Sequence, residues 1–216
     1  MVNRYINKPY LSKLIIMVNR IKLLKELEKY PVFGVQVISN IANKSRNYSW
    51  LYLYRLKKAK LIFELERDKY TLHSDPLLIA SHVIWPCYIS SWSAIRYYNL
   101  TEQLPTYIQV ITTRSKKRRL LEFGNAKIEF ARIKKENFFG FGKIPYGDFE
   151  IFMAEKEKAL ADALYLNQIS FETFTEILQE YRKELNMKKL AKYLKQMKMN
   201  GVIRKLRGAK TNDNKK

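Results

Sequence analysis

Cysteine is nearly missing from this chain: Cys87 is the only one in 216 residues. That excludes an intramolecular disulfide, and with it the stapled framework of a small secreted domain. Histidine is almost as scarce. His73 and His82 stand nine residues apart with only Cys87 nearby, a spacing that matches no metal-ligand motif. Long apolar runs are absent too. Leu14-Ile15-Ile16-Met17-Val18 is too short to cross a bilayer and lacks the small-residue cleavage site of a signal peptide. A cytoplasmic protein with no membrane partner is the expectation. Acidic side chains are few, 20 against 41 Lys and Arg, for a net charge of +21. Such an excess points to a polyanionic partner.

What is present is organised. Hydrophobic residues make up 47% of the chain, enough for a sizeable core. The cations are segregated. Residues 1–73 hold 15 basic and 5 acidic side chains, residues 74–180 hold 13 of each, and residues 181–216 hold 13 and 2. General solubility does not require a neutral middle between two basic ends; a phosphate-binding surface at each end does. The chain is expected to divide into a DNA-binding domain over 1–73, an α+β domain over 74–200 and a basic, disordered tail over 201–216.

The first segment reads as three helices and a hairpin. Leu11, Leu14, Ile15, Val18, Ile21, Leu24 and Leu27 recur at helical steps and predict one long amphipathic helix. The repeat of Met1-Val2-Asn3-Arg4 as Met17-Val18-Asn19-Arg20 leaves two candidate starts. Pro31 and Gly34 break the pattern, and Val35, Val37, Ile38 and Ile41 suit a second helix. Ser45 is placed to cap a third, Arg46 to Lys58. Leu61 to Leu65 and Tyr70 to Leu72 read as two strands, with Tyr70 as the packing residue. This order is that of a winged helix-turn-helix.

A helical wheel at about 100° per residue puts Ser49, Tyr52, Leu53 and Leu56 on one arc of the third helix. Arg46, Asn47, Trp50, Tyr54 and Lys57 fall on the other. A helix that enters the major groove needs such an outward face of donors and cations. Arg46 and Asn47, at its N-terminal end, are candidates for base edges. Ser45 lies beside them. Lys57 and Lys58, with Arg67 and Lys69 on the wing, are candidates for phosphates, which position the protein without specifying sequence. Arg114, Lys116, Lys117, Arg118 and Arg119 form the densest basic run, read equally as an extension of the DNA track or as a solvated loop.

Beyond Asp75 the pattern predicts short helices to His82 and over Ser90 to Tyr98, then strands. These run over Thr106 to Thr113, Arg119 to Phe123, Lys127 to Ile133, Phe138 to Ile144 and Phe149 to Met153, with Gly124-Asn125 as a tight turn. Helices follow over Glu155 to Leu166, Phe171 to Tyr181 and Met187 to Met199. The last is amphipathic, with Leu190, Ala191, Leu194 and Met197 inward and Lys188, Lys189, Lys192, Lys195 and Lys198 as its cations. The fold class is therefore α+β: a winged helix-turn-helix, then a mixed domain with a small central sheet and C-terminal helices.

Catalytic motifs are weak. Gly140-Phe141-Gly142-Lys143 lacks the glycine spacing and the Ser or Thr of a phosphate loop. Asp148, Glu150, Glu155 and Lys156 make a metal-dependent nuclease only if a geometry is imposed on them, and carboxylates at a helix start are favoured anyway by its dipole. Ser90-Ser91-Trp92-Ser93 has no base beside it; Ser90 suits an N-cap. No enzyme activity, metal or cofactor is expected.

One stretch is distinctive: Tyr88-Ile89-Ser90-Ser91-Trp92-Ser93-Ala94-Ile95-Arg96-Tyr97-Tyr98-Asn99-Leu100-Thr101-Glu102-Gln103-Leu104-Pro105. With Phe149 to Leu164, a hydrophobic segment leading into an acidic, Ala/Leu-rich helix, it resembles the AbiEi family of antitoxins and regulators from type IV abortive-infection toxin–antitoxin systems. The resemblance covers about residues 31 to 166. It implies a repressor of its own operon that binds an inverted-repeat operator in double-stranded DNA. It also implies a nucleotidyltransferase toxin as functional partner, without a required direct complex. The stretch before Met17 and the short basic C-terminal end depart from the family pattern. Two other readings stand beside it: a stand-alone winged-helix regulator without a toxin, and a metal-dependent nuclease.

Overall fold

The computed structural model describes residues 20–213, with side chains as far as 206. The stripe residues Leu11, Leu14, Ile15 and Val18, and the alternative start Met17, lie outside the described residues. The protein is α+β and forms two compact units that meet at Asp75 and Pro76. Among the described residues no helix is long and apolar enough to cross a membrane.

Among its described residues, the first unit packs three helices and a hairpin around Leu27, Phe33, Val35, Ile38, Leu53, Leu56, Ile62 and Tyr70. Helix α1 covers residues 20–27. Its inward residues are Leu23 and Leu27; Ile21, expected on that stripe, is exposed. Helix α2, Val35–Ala42, ends where Asn43 turns left-handed. Helix α3, Arg46–Lys58, begins at Ser45, whose hydroxyl accepts the Tyr48 N–H at 3.3 Å, and carries Arg55, Lys57 and Lys58 in its last turn, where cations complement the dipole.

Strands β1, Phe63–Glu66, and β2, Lys69–Thr71, pair antiparallel. A third backbone segment joins them: Phe33 and Tyr70 exchange N–H···O bonds of 2.9 and 2.8 Å. At the hairpin turn, Asp68 takes a left-handed φ of 57°. Its carboxylate accepts the Val35 N–H at 2.7 Å, capping α2 from across the unit. Gly34 is required there, because a Cβ on it would sit 2.8 Å from the Asp68 carbonyl oxygen.

The second unit is built on a six-stranded mixed sheet. Its strands are β3 (Cys87–Ile89), β4 (Ile108–Thr112), β5 (Leu120–Phe123), β6 (Ala126–Arg132), β7 (Phe141–Tyr146) and β8 (Phe149–Ala154), in the order β5-β6-β4-β3-β8-β7. Pairs β4/β6 and β3/β8 are parallel; the others are antiparallel. Helix α4, Pro76–His82, packs on β3, β4 and β8, and α5, Ser91–Tyr97, packs on β4. Helices α6 (Lys156–Tyr165), α7 (Phe171–Glu180), α8 (Met187–Gln196) and α9 (Asn200–Asp213) complete the unit.

Four expectations are corrected here. Cys87–Ile89, for which the pattern predicts no strand, form β3, one of the two central strands of the sheet. The strand expected from Phe138 begins at Phe141, because Lys135–Asn137 makes a 3-10 turn first. The expected disordered tail over 201–216 is helical to Asp213, with Val202 and Ile203 half-buried. Their apolar surface gives the segment something to pack. In α8, Tyr193 is buried and Ala191 exposed, so the inner face is Leu190, Tyr193, Leu194 and Met197.

Candidate nucleic-acid interface

Helix α3 has two unlike sides. Ser49, Leu53 and Leu56 are buried, and the Ser49 hydroxyl donates to the Ser45 carbonyl at 3.0 Å, so the polar member of the inner face is satisfied. Arg46, Asn47, Trp50, Tyr54, Lys57 and Lys58 are exposed, Tyr54 by 62%. Ser45 is spent on the cap. The inward arc is narrower than the sequence wheel implies, because Tyr52 is only half-buried. The residues farthest from it are Asn47, Leu51, Tyr54 and Lys58. Leu51, missed in the sequence because an apolar residue on a polar face reads as core, is 45% exposed.

The cations around this face differ in availability. Lys57 is salt-bridged to Glu64 on β1, whose hydrogen bond and charge raise the Lys57 pKa. Lys69 is held by Glu66 at 2.5 Å. Arg46, Lys58 and Arg67 are exposed, and no described residue pairs with their side chains. In the second unit the basic run forms the β4–β5 connection. Arg114, Lys117, Arg118 and Arg119 are exposed there, while Lys116 is half-buried with its ammonium 4.4 Å from the centroid of the Phe130 ring. On α8, Lys188, Lys192 and Lys195 are exposed, and Lys189 reaches Glu155 at 3.1 Å.

The first part of the distinctive stretch, Tyr88 to Ser93, is framework. Ser90 occupies the N-cap position of α5 without a side-chain cap; its hydroxyl instead donates to Asp162 on α6 at 2.8 Å, and the Tyr88 hydroxyl donates to the same oxygen at 3.0 Å. Lys158, one turn earlier on α6, pairs with the other Asp162 oxygen. Both charged side chains are fully buried, and burial pushes the Asp162 carboxyl up and the Lys158 ammonium down. Nearby, Trp92 Nε1 donates to the Gln168 carbonyl at 3.1 Å, and Ser93 and Gln109 bond each other. Helical periodicity missed this cluster because α6 is buried on nearly every side, so its polar residues do not mark a solvent face.

Of the residues considered for a nuclease, Glu150, Glu155 and Lys156 are separately engaged, and Asp148 is exposed at the β7–β8 turn. Glu150 pairs with Lys143 at 2.6 Å, Lys156 with Glu184 at 3.3 Å, and Glu155 with Lys189 and the Tyr193 hydroxyl. Among the described residues no group of three or more His, Cys, Asp or Glu could hold a metal. His82 Nδ1 lies 2.9 Å from the Leu78 carbonyl within its own helix, and His73 Nε2 lies 3.0 Å from the Glu28 carbonyl. Compared with known proteins, the chain matches no family model and no curated protein.

Proposed function

We propose that the protein is a sequence-specific DNA-binding transcriptional regulator, with a winged helix-turn-helix as its first unit and α3 as the recognition helix. One observation carries this reading: α3 buries one face and turns a row of amide, aromatic and cationic side chains outward, next to a hairpin tipped by Arg67. The Phe33–Tyr70 bridge supports it, because it ties the hairpin to the segment between α1 and α2. Arg46 and Asn47 reach base edges in the major groove; Lys58 and Arg67 contact phosphate. The run Arg114 to Arg119 offers further phosphate contacts from the second unit.

Within this reading the protein acts as an AbiEi-type repressor of its own toxin–antitoxin operon, with a nucleotidyltransferase toxin as functional partner and no enzymatic activity of its own. The convergence of Tyr88, Ser90 and Asp162 supports it, since the two stretches that carry the resemblance meet in one buried network. The test is electrophoretic mobility shift on the protein's upstream region. A shift that random duplex fails to compete away is expected; no shift refutes the regulator. Incubation with magnesium is expected to leave DNA and RNA intact, and cleavage would refute the non-enzymatic reading.

A further inference from the structure

Leu51 sits at the centre of the exposed side of α3, on the surface directly opposite Leu53 and Leu56. An exposed leucine is ordinary in itself. Its setting is not: the outward neighbours Asn47, Tyr54 and Lys58 are polar or amphipathic, and the exposed Arg55 flanks the leucine on its other side. A protein partner would have to desolvate these cations to reach the leucine. A DNA groove welcomes them, and the edge of one base pair offers an apolar group, the thymine C5-methyl. Asn47, one turn before Leu51, carries the amide whose donor and acceptor match adenine N6 and N7. Four residues advance a helix by about 6 Å, against about 3.4 Å per base pair, so the two side chains address base pairs one or two steps apart.

Resting on the DNA-binding reading, we propose that Leu51 reads a thymine methyl group and Asn47 an adenine at a neighbouring position, making α3 selective for an A·T-containing step. The charge around the patch commits it to duplex DNA rather than to a second protein surface.

The experiment uses the full chain and duplexes it selects from a randomised pool. Each thymine is replaced in turn by deoxyuridine, which removes only the methyl, and each adenine by 7-deazaadenine, which removes only the N7 acceptor. At one position deoxyuridine should weaken binding about fourfold, the worth of one buried methyl group. Leu51→Ala should bind thymine and deoxyuridine equally there, while Leu51→Met keeps the difference. At a position one or two steps away, 7-deazaadenine should cost about tenfold, a loss that Asn47→Ala no longer shows. A methyl effect that survives in Leu51→Ala, or the lack of either base effect in the wild-type chain, overturns the proposal and leaves DNA binding intact. Recovery of no consensus overturns the DNA-binding reading and this proposal with it. If Leu51→Ala instead abolishes self-association in sedimentation and leaves base discrimination unchanged, the patch belongs to a second copy of the chain and the proposal falls.

Discussion

At the scale of single residues, Lys158 carries a charge into a core that offers it one counter-charge, Asp162. A buried pair of this kind is costly to break, because removing one partner strands the other. Lys158→Met is therefore expected to lower unfolding free energy by about 3–5 kcal/mol in urea titrations near neutral pH. The sign of its pH dependence is fixed. Burial raises the Asp162 pKa, so the folded variant takes up a proton more readily than the unfolded chain, and the deficit should shrink as the pH falls. A second prediction separates two cations of α3. Arg46→Ala should cost about 1–3 kcal/mol on the operator and little on random duplex, whereas Lys58→Ala should weaken both alike; competition binding measures each. Equal losses for both variants would remove the division between reading and positioning.

At the scale of elements, the start of α8 is fastened by two carboxylates of the α6 region. Glu157 accepts the Asn186 N–H at 2.7 Å, and Glu155 accepts from the Tyr193 hydroxyl and pairs with Lys189. Burial alone would raise the Glu155 pKa, but its bonds to Tyr193 and Lys189 outweigh that and lower it from 4.5. A depressed carboxylate stabilises the fold above its unfolded pKa and loses that contribution as the pH falls through the folded value. Glu155→Gln should thus lower Tm near neutral pH and remove part of the acid-induced loss of stability below about pH 4.5, read by thermal melts across an acid series. Legibility in the sequence followed the same local signals. The boundaries of α3 were readable because a capping serine and a single apolar arc coincide. Strand β3 was not, because three residues buried on both faces show no alternation and a proline precedes them. The helical course of α9 was hidden by its charge, which dominates the few apolar residues that pack.

At the scale of the whole molecule, charge segregation was visible in residue counts, but the counts did not say which cations remain available. Glu64 and Glu66 engage Lys57 and Lys69, while Arg46, Lys58 and Arg67 stay unpaired among the described residues. Only the folded hairpin brings Glu64 to Lys57. Replacing Arg114, Lys117 and Arg118 by Gln should weaken binding to all duplexes alike and reduce the slope of log affinity against log salt by about 0.9 per lost phosphate contact. An unchanged slope assigns that loop to solvent. The carboxylate at the hairpin tip has a further consequence. Turned outward, Asp68 would repel a phosphate backbone of the kind proposed for Arg67; turned inward, it locks onto an amide 33 residues earlier in the chain. Deuterium uptake at Val35 therefore serves as a gauge of fraying at a tip far away in sequence, and a ligand that clamps the hairpin should slow it.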